Sequence, residues 1–290
     1  MAVRIIADSI IAPPLDQADR WNVTVIPIHI HYGETVLLDL VDIDPERFYR
    51  ELPNLDELPT TSAPGRDRFA SVFRDTLAAG DDVLCLTVSA GMSNTYQRAI
   101  QAAGDLANGS DRIRVLDTES AGAAGVLLVL EAARQAQTGD PLPVIAEWIG
   151  SLVPQAKLVA MLDTLIYIEK SGRVGKAAAV AGDLFRIKPL IFLHRGRPQF
   201  FGRARGKNQA FRMIVEEFDR DTRDSPHLRV LVTHSNAPID AEILAREIGR
   251  IRPGIRPESV PLTPAMGAHA GPGVVGVGYL HWGDNAPTPD

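Results

Sequence analysis

A chain of 290 residues is long enough for a large core and divides more naturally into two domains than one. Hydrophobic residues at 45% and charged residues at 23% place it among soluble globular proteins, and no run approaches the ~20 apolar residues that span a bilayer. A net charge of −6 removes any overall electrostatic reason to bind nucleic acid or an anionic membrane. The lone cysteine, Cys85, lies in an apolar run and excludes an internal disulfide or a cysteine metal cage. Met1-Ala2-Val3-Arg4 has no apolar signal core behind it, so a cytoplasmic location is expected.

Residues 3–7 read as a first strand ending at Asp8-Ser9, a polar pair where open α/β sheets place ligand or structural groups. Pro13-Pro14 starts a short helix toward Trp21. Residues 23–30 read as a second strand, with His29 and His31 on one face. No Cys, Asp or Glu of matching spacing accompanies them, so no metal site is expected. A strand over 37–41 comes next, then a helix starting at Asp44-Pro45-Glu46. Residues 53–65 read as a loop carrying Thr60-Thr61-Ser62 between prolines, either a stiff hydrogen-bonding segment or the cap of a helix over 67–79.

The apolar, β-branched run 82–88 reads as a buried strand. It turns through Ser89-Ala90-Gly91-Met92-Ser93-Asn94-Thr95-Tyr96 into a helix over 97–106. Such a turn leaves backbone N–H groups around Met92, Ser93 and Asn94 that, with the helix dipole, favour an anion. The simpler reading is a serine or threonine cap. A strand over 112–117 leads into a small-residue helix through Arg134, and another helix runs to Leu152. Alternating strands and helices argue for a parallel sheet with covering helices. The domain boundary is placed between residues 1–155 and 156–290.

The second part opens with a strand over 157–162. Between Lys170 and Lys207 lie Lys170, Arg173, Lys176, Arg186, Lys188, Arg195, Arg197, Arg203, Arg205 and Lys207 against the single acid Asp183, either a positive surface or solvated scatter. Residues 187–193 and 199–203 read as a hairpin. A helix over 208–219, a strand over 228–234, a helix over 240–251 and a glycine-rich finish over 261–279 complete the chain.

Gly271-Pro272-Gly273-Val274-Val275-Gly276 matches a dinucleotide fingerprint in letters only, because the segment running on to Tyr279 is β-like rather than helical. Gly172-Arg173-Val174-Gly175-Lys176-Ala177 has the wrong glycine spacing for a P-loop and an alanine where magnesium needs a hydroxyl. No nucleotide site is therefore expected. Gly91-Met92-Ser93-Asn94-Thr95 half-matches a nucleophile elbow, and the order Ser93, Asp163, His269 suits a hydrolase triad. A serine hydrolase acting on acyl esters is the alternative reading.

Taken together, Asp8-Ser9, Thr61-Ser62-Ala63-Pro64, Ser89 to Tyr96, Asp117-Thr118, Glu169-Lys170-Ser171-Gly172-Arg173-Val174, Lys188-Pro189-Leu190 and Gly267-Ala268-His269-Ala270-Gly271-Pro272-Gly273 resemble the DegV family in order along almost the whole chain. The resemblance implies a two-domain α/β protein holding one long-chain fatty acid in a tunnel between its domains. It further implies a non-enzymatic subunit that presents the carboxylate to a separate ATP-binding fatty-acid kinase subunit, giving an acyl phosphate for phospholipid synthesis. On that resemblance Thr61, Ser62 and Ser93, the amides near Met92 and Asn94, and His269 meet the carboxylate. Arg173, with Arg203, faces the partner's phosphoryl-transfer site. Ile28, Leu162, Leu190, Phe192 and Met266 are candidates for the tail. No cofactor beyond the bound lipid is implied, the chain is expected to be monomeric, and transient membrane contact stays open. A lipid-responsive regulator is a further alternative. Ile10, Ala63 and Thr118 depart from the usual family residues.

Overall fold

The computed structural model describes residues 2–106, 111–173, 187–194 and 196–283. In chain order its elements are β1 (Val3–Asp8), α1 (Leu15–Arg20), β2 (Val23–Ile26), β3 (His29–Tyr32), β4 (Thr35–Leu38), α2 (Pro45–Glu51), β5 (Thr60–Ser62), α3 (Arg66–Ala78), β6 (Asp82–Thr87), α4 (Thr95–Leu106), β7 (Ile113–Asp117), α5 (Gly122–Thr138) and α6 (Leu142–Leu152). They continue as β8 (Ala156–Met161), α7 (Ile166–Lys170), β9 (Ile187–His194), β10 (Arg197–Arg205), α8 (Lys207–Thr222), β11 (His227–His234), α9 (Pro238–Ile251), β12 (Glu258–Pro261), α10 (Pro264–Ala270) and β13 (Val275–Trp282).

The alternating first half forms a parallel sheet in the order β2-β1-β6-β7. The second half forms a mixed sheet, β10-β9-β8-β13-β11-β12, in which only β11 and β12 run parallel. This is the two-part α/β architecture expected from the strand–helix alternation. Among the described residues no helix is long and apolar enough to cross a membrane.

The two sheets share a core through α5. Its first half, Gly122 to Leu130, is apolar on every face and buried almost throughout, and the helix touches β1 as well as β8, β11 and β13. One apolar cluster accordingly joins Ile5, Leu84 and Leu128 to Leu158, Leu280 and Trp282. The contact with β13 depends on Gly278, where a Cβ would lie 2.5 Å from the Ala124 nitrogen and 2.6 Å from the Ala123 carbonyl carbon. These are helix backbone atoms and cannot swing aside. Gly278→Ala is expected to cost about 1–3 kcal/mol, read as a lower denaturant midpoint at unchanged slope.

Three local expectations are corrected. The strand expected over 23–30 breaks at Pro27, which has no N–H to carry a ladder onward. Its first part stays in the parallel sheet, while β3 joins β4 and β5 in a small antiparallel sheet. The loop expected over 53–65 contains β5, paired to β3 with Thr61 opposite Ile30. The glycine-rich finish contains α10 and is preceded by β12, while its β-like segment is β13 as expected. Val174 to Ala177, Asp183, Arg186 and Arg195, part of the basic stretch, lie outside the described residues.

Candidate functional site

The carboxyl end of β1 begins the site. Asp8 is fully buried and accepts from the Val88 amide at 2.6 Å and the Ile10 amide at 3.0 Å, locking the ends of β1 and β6 together. Ser9 donates to Asp39 at 2.5 Å and accepts from the Ile28 amide at 3.1 Å. Asp39 in turn accepts from the Ala265 amide at 3.0 Å, in the first turn of α10. An acid at a helix N-terminus is favourable, and here it ties α10 to the first half of the chain. Thr263 caps the same helix through the Met266 amide. The polar pair after β1 is therefore structural, and its effect is to seat α10 across β5.

That seating brings together residues 208 positions apart: Thr61 Oγ1 lies 2.6 Å from His269 Nε2. Burial first, and then the nearby Arg173 charge, pulls His269 down to about 4, so the imidazole is neutral at neutral pH. Its Nδ1 is buried and has no partner among the described residues. Ser62, one residue on from Thr61, meets His31 at 2.8 Å. Among the described residues no group of three or more His, Cys, Asp or Glu is placed to hold a metal ion.

The turn after β6 differs from its sequence reading. The amides of Met92 and Ser93 are not free, because both donate to the Ser89 carbonyl, at 3.0 and 3.1 Å. Ser93 Oγ lies 2.8 Å from Thr95 Oγ1 and takes the Thr95 amide, so it acts in part as a local cap. The Asn94 amide has no acceptor among the described residues. The hairpin tip of the second half closes on this turn, with Ser89 Oγ donating to the Gly196 carbonyl at 2.7 Å.

Between these elements lies a cavity of about 530 Å³, inside the roughly 300–1,000 Å³ range of small-molecule sites. Thr61, Ser62, Met92, Ser93, Asn94, His269 and Arg173 all line it, as do Ile28, Leu162 and Met266. Two residues expected along the tail do not. Leu190 and Phe192 point to the opposite face of β9, into a separate cluster with Phe211 and Ile214. Their neighbours Ile191 and Leu193 line the cavity instead. Both faces of β9 are apolar, so no hydrophobic alternation marks which parity faces the ligand. Arg203 is exposed on the edge strand β10 and is not part of the wall.

Arg173 and His269 also line a second, more polar recess of about 350 Å³ with Asp56, Glu57, Lys170 and Ser171. These two side chains thus stand where an apolar chamber meets an outward-facing polar one. Arg173 donates to the Ser171 carbonyl at 2.6 Å and pairs with no carboxylate among the described residues. Partial burial pulls it below its ordinary value, which leaves it charged and in want of an anion.

The residues of the alternative triad are not wired as one. His269 Nε2 engages Thr61 rather than Ser93, Ser93 engages Thr95, and Asp163 holds Lys188 at 2.5 Å. The amides that would serve as an oxyanion hole are spent on Ser89.

A family model described as an uncharacterised protein of the DegV family matches residues 2–281. A DegV domain-containing protein of Clostridium perfringens is 30% identical over 289 residues, covering 96% of this chain and 99% of that protein. A DegV family protein of Thermus thermophilus, whose structure describes fatty acid binding, superposes with a TM-score of 0.90 at 27% identity over 97% of this chain and 100% of that chain. DegV of Bacillus subtilis, described as a fatty acid binding protein, superposes at 0.86 with 24% identity over 97% of this chain and 100% of that one, a likeness of fold.

Proposed function

This chain belongs to the DegV family, and we propose that it holds one long-chain fatty acid between units 1–155 and 156–290 and presents the carboxylate to a separate ATP-dependent kinase subunit. One observation carries the reading: an apolar cavity ends on the Thr61 and Ser93 hydroxyls, a neutral histidine and an arginine with no acidic partner among the described residues. An amphiphile with one anionic head and a long apolar tail satisfies both ends at once. Each buried methylene contributes about 0.8 kcal/mol, and the head group meets the Thr61 and Ser93 hydroxyls. The polar recess beyond Arg173 and His269 gives a phosphoryl donor an approach to the carboxylate without opening the apolar chamber. In this reading Thr61, Ser93 and the Asn94 amide hold the carboxylate, His269 orients it, and Arg173 meets developing phosphoryl charge. The protein is a monomeric carrier that turns nothing over alone and exchanges lipid in transient contact with a membrane.

The test is organic extraction and mass spectrometry of the purified, untreated protein beside Ser93→Ala and Thr61→Ala. Near-stoichiometric free fatty acid is expected in the wild type. Each variant should bind about ten- to a hundredfold more weakly, the effect of one charge-assisted hydrogen bond. A wild type that is empty and takes up no added fatty acid would refute the reading. Bound lipid with no phosphoryl transfer beside any kinase subunit would favour a lipid-responsive regulator.

A further inference from the structure

The acyl cavity has an apolar neighbour. A second space of about 220 Å³ lies behind it, lined by Ala12, Leu15, Val126, Val260 and Leu262 among others. Ile10 is common to the walls of both spaces. Gly122, on the wall of the second, shows how thin the separation is. A Cβ there would sit 3.8 Å from Met266 Cε and 3.9 Å from Leu158 Cδ2, and both of those residues line the first. A single layer of side chains therefore divides two apolar spaces. Ile10 is the member of that layer that the structure places in both walls, and it is only 9% exposed.

The second space suits a hydrocarbon end. Its few polar atoms are committed: Thr263 caps α10, Thr233 donates to the Val260 carbonyl, and Asp44 caps α2. At its outer rim stands Leu15, 45% exposed on the first turn of α1. Of these two apolar spaces, only the first has the carboxylate end, around His269 and Arg173, on its wall.

We infer that Ile10 sets the acyl-chain length this protein accepts, by closing the carboxylate-bearing cavity against a second apolar compartment into which a longer tail would otherwise extend. The inference rests on the proposed fatty-acid site. In the native chain the tail stops at the isoleucine side chain. A smaller residue at position 10 merges the two spaces and lets the methyl end pass beneath α5 toward Leu15.

The experiment measures affinities of the delipidated protein for saturated acids from dodecanoic to eicosanoic acid, by calorimetry, for wild type, Ile10→Val, Ile10→Ala and the double variant Ile10→Ala with Ala12→Leu. Ile10→Ala is expected to move the optimum to longer acids, gaining about fourfold in affinity for each added methylene that finds room. Ile10→Val removes a single methylene, is mild enough to fold, and should shift the optimum the same way by less. Ala12→Leu refills the second compartment from its own wall and should return the optimum toward the wild-type value. If the variants bind fatty acid with an unshifted optimum, the length inference is overturned while the lipid site stands. If the wild type binds none of the series, the site itself fails and the inference with it.

Discussion

Arg173→Ala is expected to leave the fatty acid bound and to reduce acyl-phosphate formation by about 10²- to 10³-fold when the protein is supplied with ATP and a kinase subunit that turns over the wild type. The separation of the two effects comes from position. In the proposed site the tail lies against Ile28, Leu162, Ile191, Leu193 and Met266, none of which lines the polar recess, so most of the binding energy should survive loss of the guanidinium. Arg173 lines both spaces and has no carboxylate of its own among the described residues, so its charge is available to a group that becomes more negative during transfer. Preorganised charge acts on the transition state more than on the ground state, which predicts a fall in kcat with little change in bound lipid. Arg173→Lys should recover only part of the rate, because an ammonium keeps the charge and loses the planar fork. Equal loss of lipid content and rate would mean that Arg173 is a carboxylate anchor and no more.

How much of this site the sequence disclosed depends on the reach of local signals. The strand–turn–helix at Ser89 to Tyr96 and the hydroxyl run at Thr60 to Ser62 are contiguous, and both reach the cavity wall. The pairing of Thr61 with His269 is not local: it depends on α10 being seated by Asp39, a residue that carries no motif. The helix itself is hidden, because Pro264-Ala265-Met266-Gly267-Ala268 reads as glycine-rich coil until its N-cap and its acidic partner are known. His269 is tied to the head group by the family resemblance alone. Parity on β9 is illegible for a different reason. Leu190 and Phe192 face one apolar core and Ile191 and Leu193 another, so the strand shows hydrophobic residues in succession with no polar face to orient it. The amides of Met92 and Ser93 mark a third limit, since a turn can consume its own donors.

The Asp8 carboxyl should make the cost of its own replacement depend on pH. Burial pushes it up to about 7, aided by the nearby Asp39, while the Val88 and Ile10 amides pull the other way. A carboxyl whose folded value lies above its unfolded value of about 3.8 binds its proton more readily in the native state. Its contribution to stability is complete below the unfolded value and is lost as pH rises through the folded one. Asp39, raised to about 6, behaves alike. His269, held near 4, runs the opposite way, as do the depressed His234 and His281, so the wild-type stability curve mixes opposing slopes. The difference between wild type and Asp8→Asn cancels the histidines. Asparagine offers one oxygen to two amide donors, which carries a constant cost of about 1–3 kcal/mol. On top of it the variant should become worse by about 2–3 kcal/mol as pH falls from about 8 to about 5, because only the wild type takes up the stabilising proton. Urea unfolding at several pH values reads this directly. A cost that instead grows toward alkaline pH would show that the two amides outweigh burial and that Asp8 is a buried carboxylate; the joint between β1 and β6 would then be held by a charged rather than a protonated carboxyl.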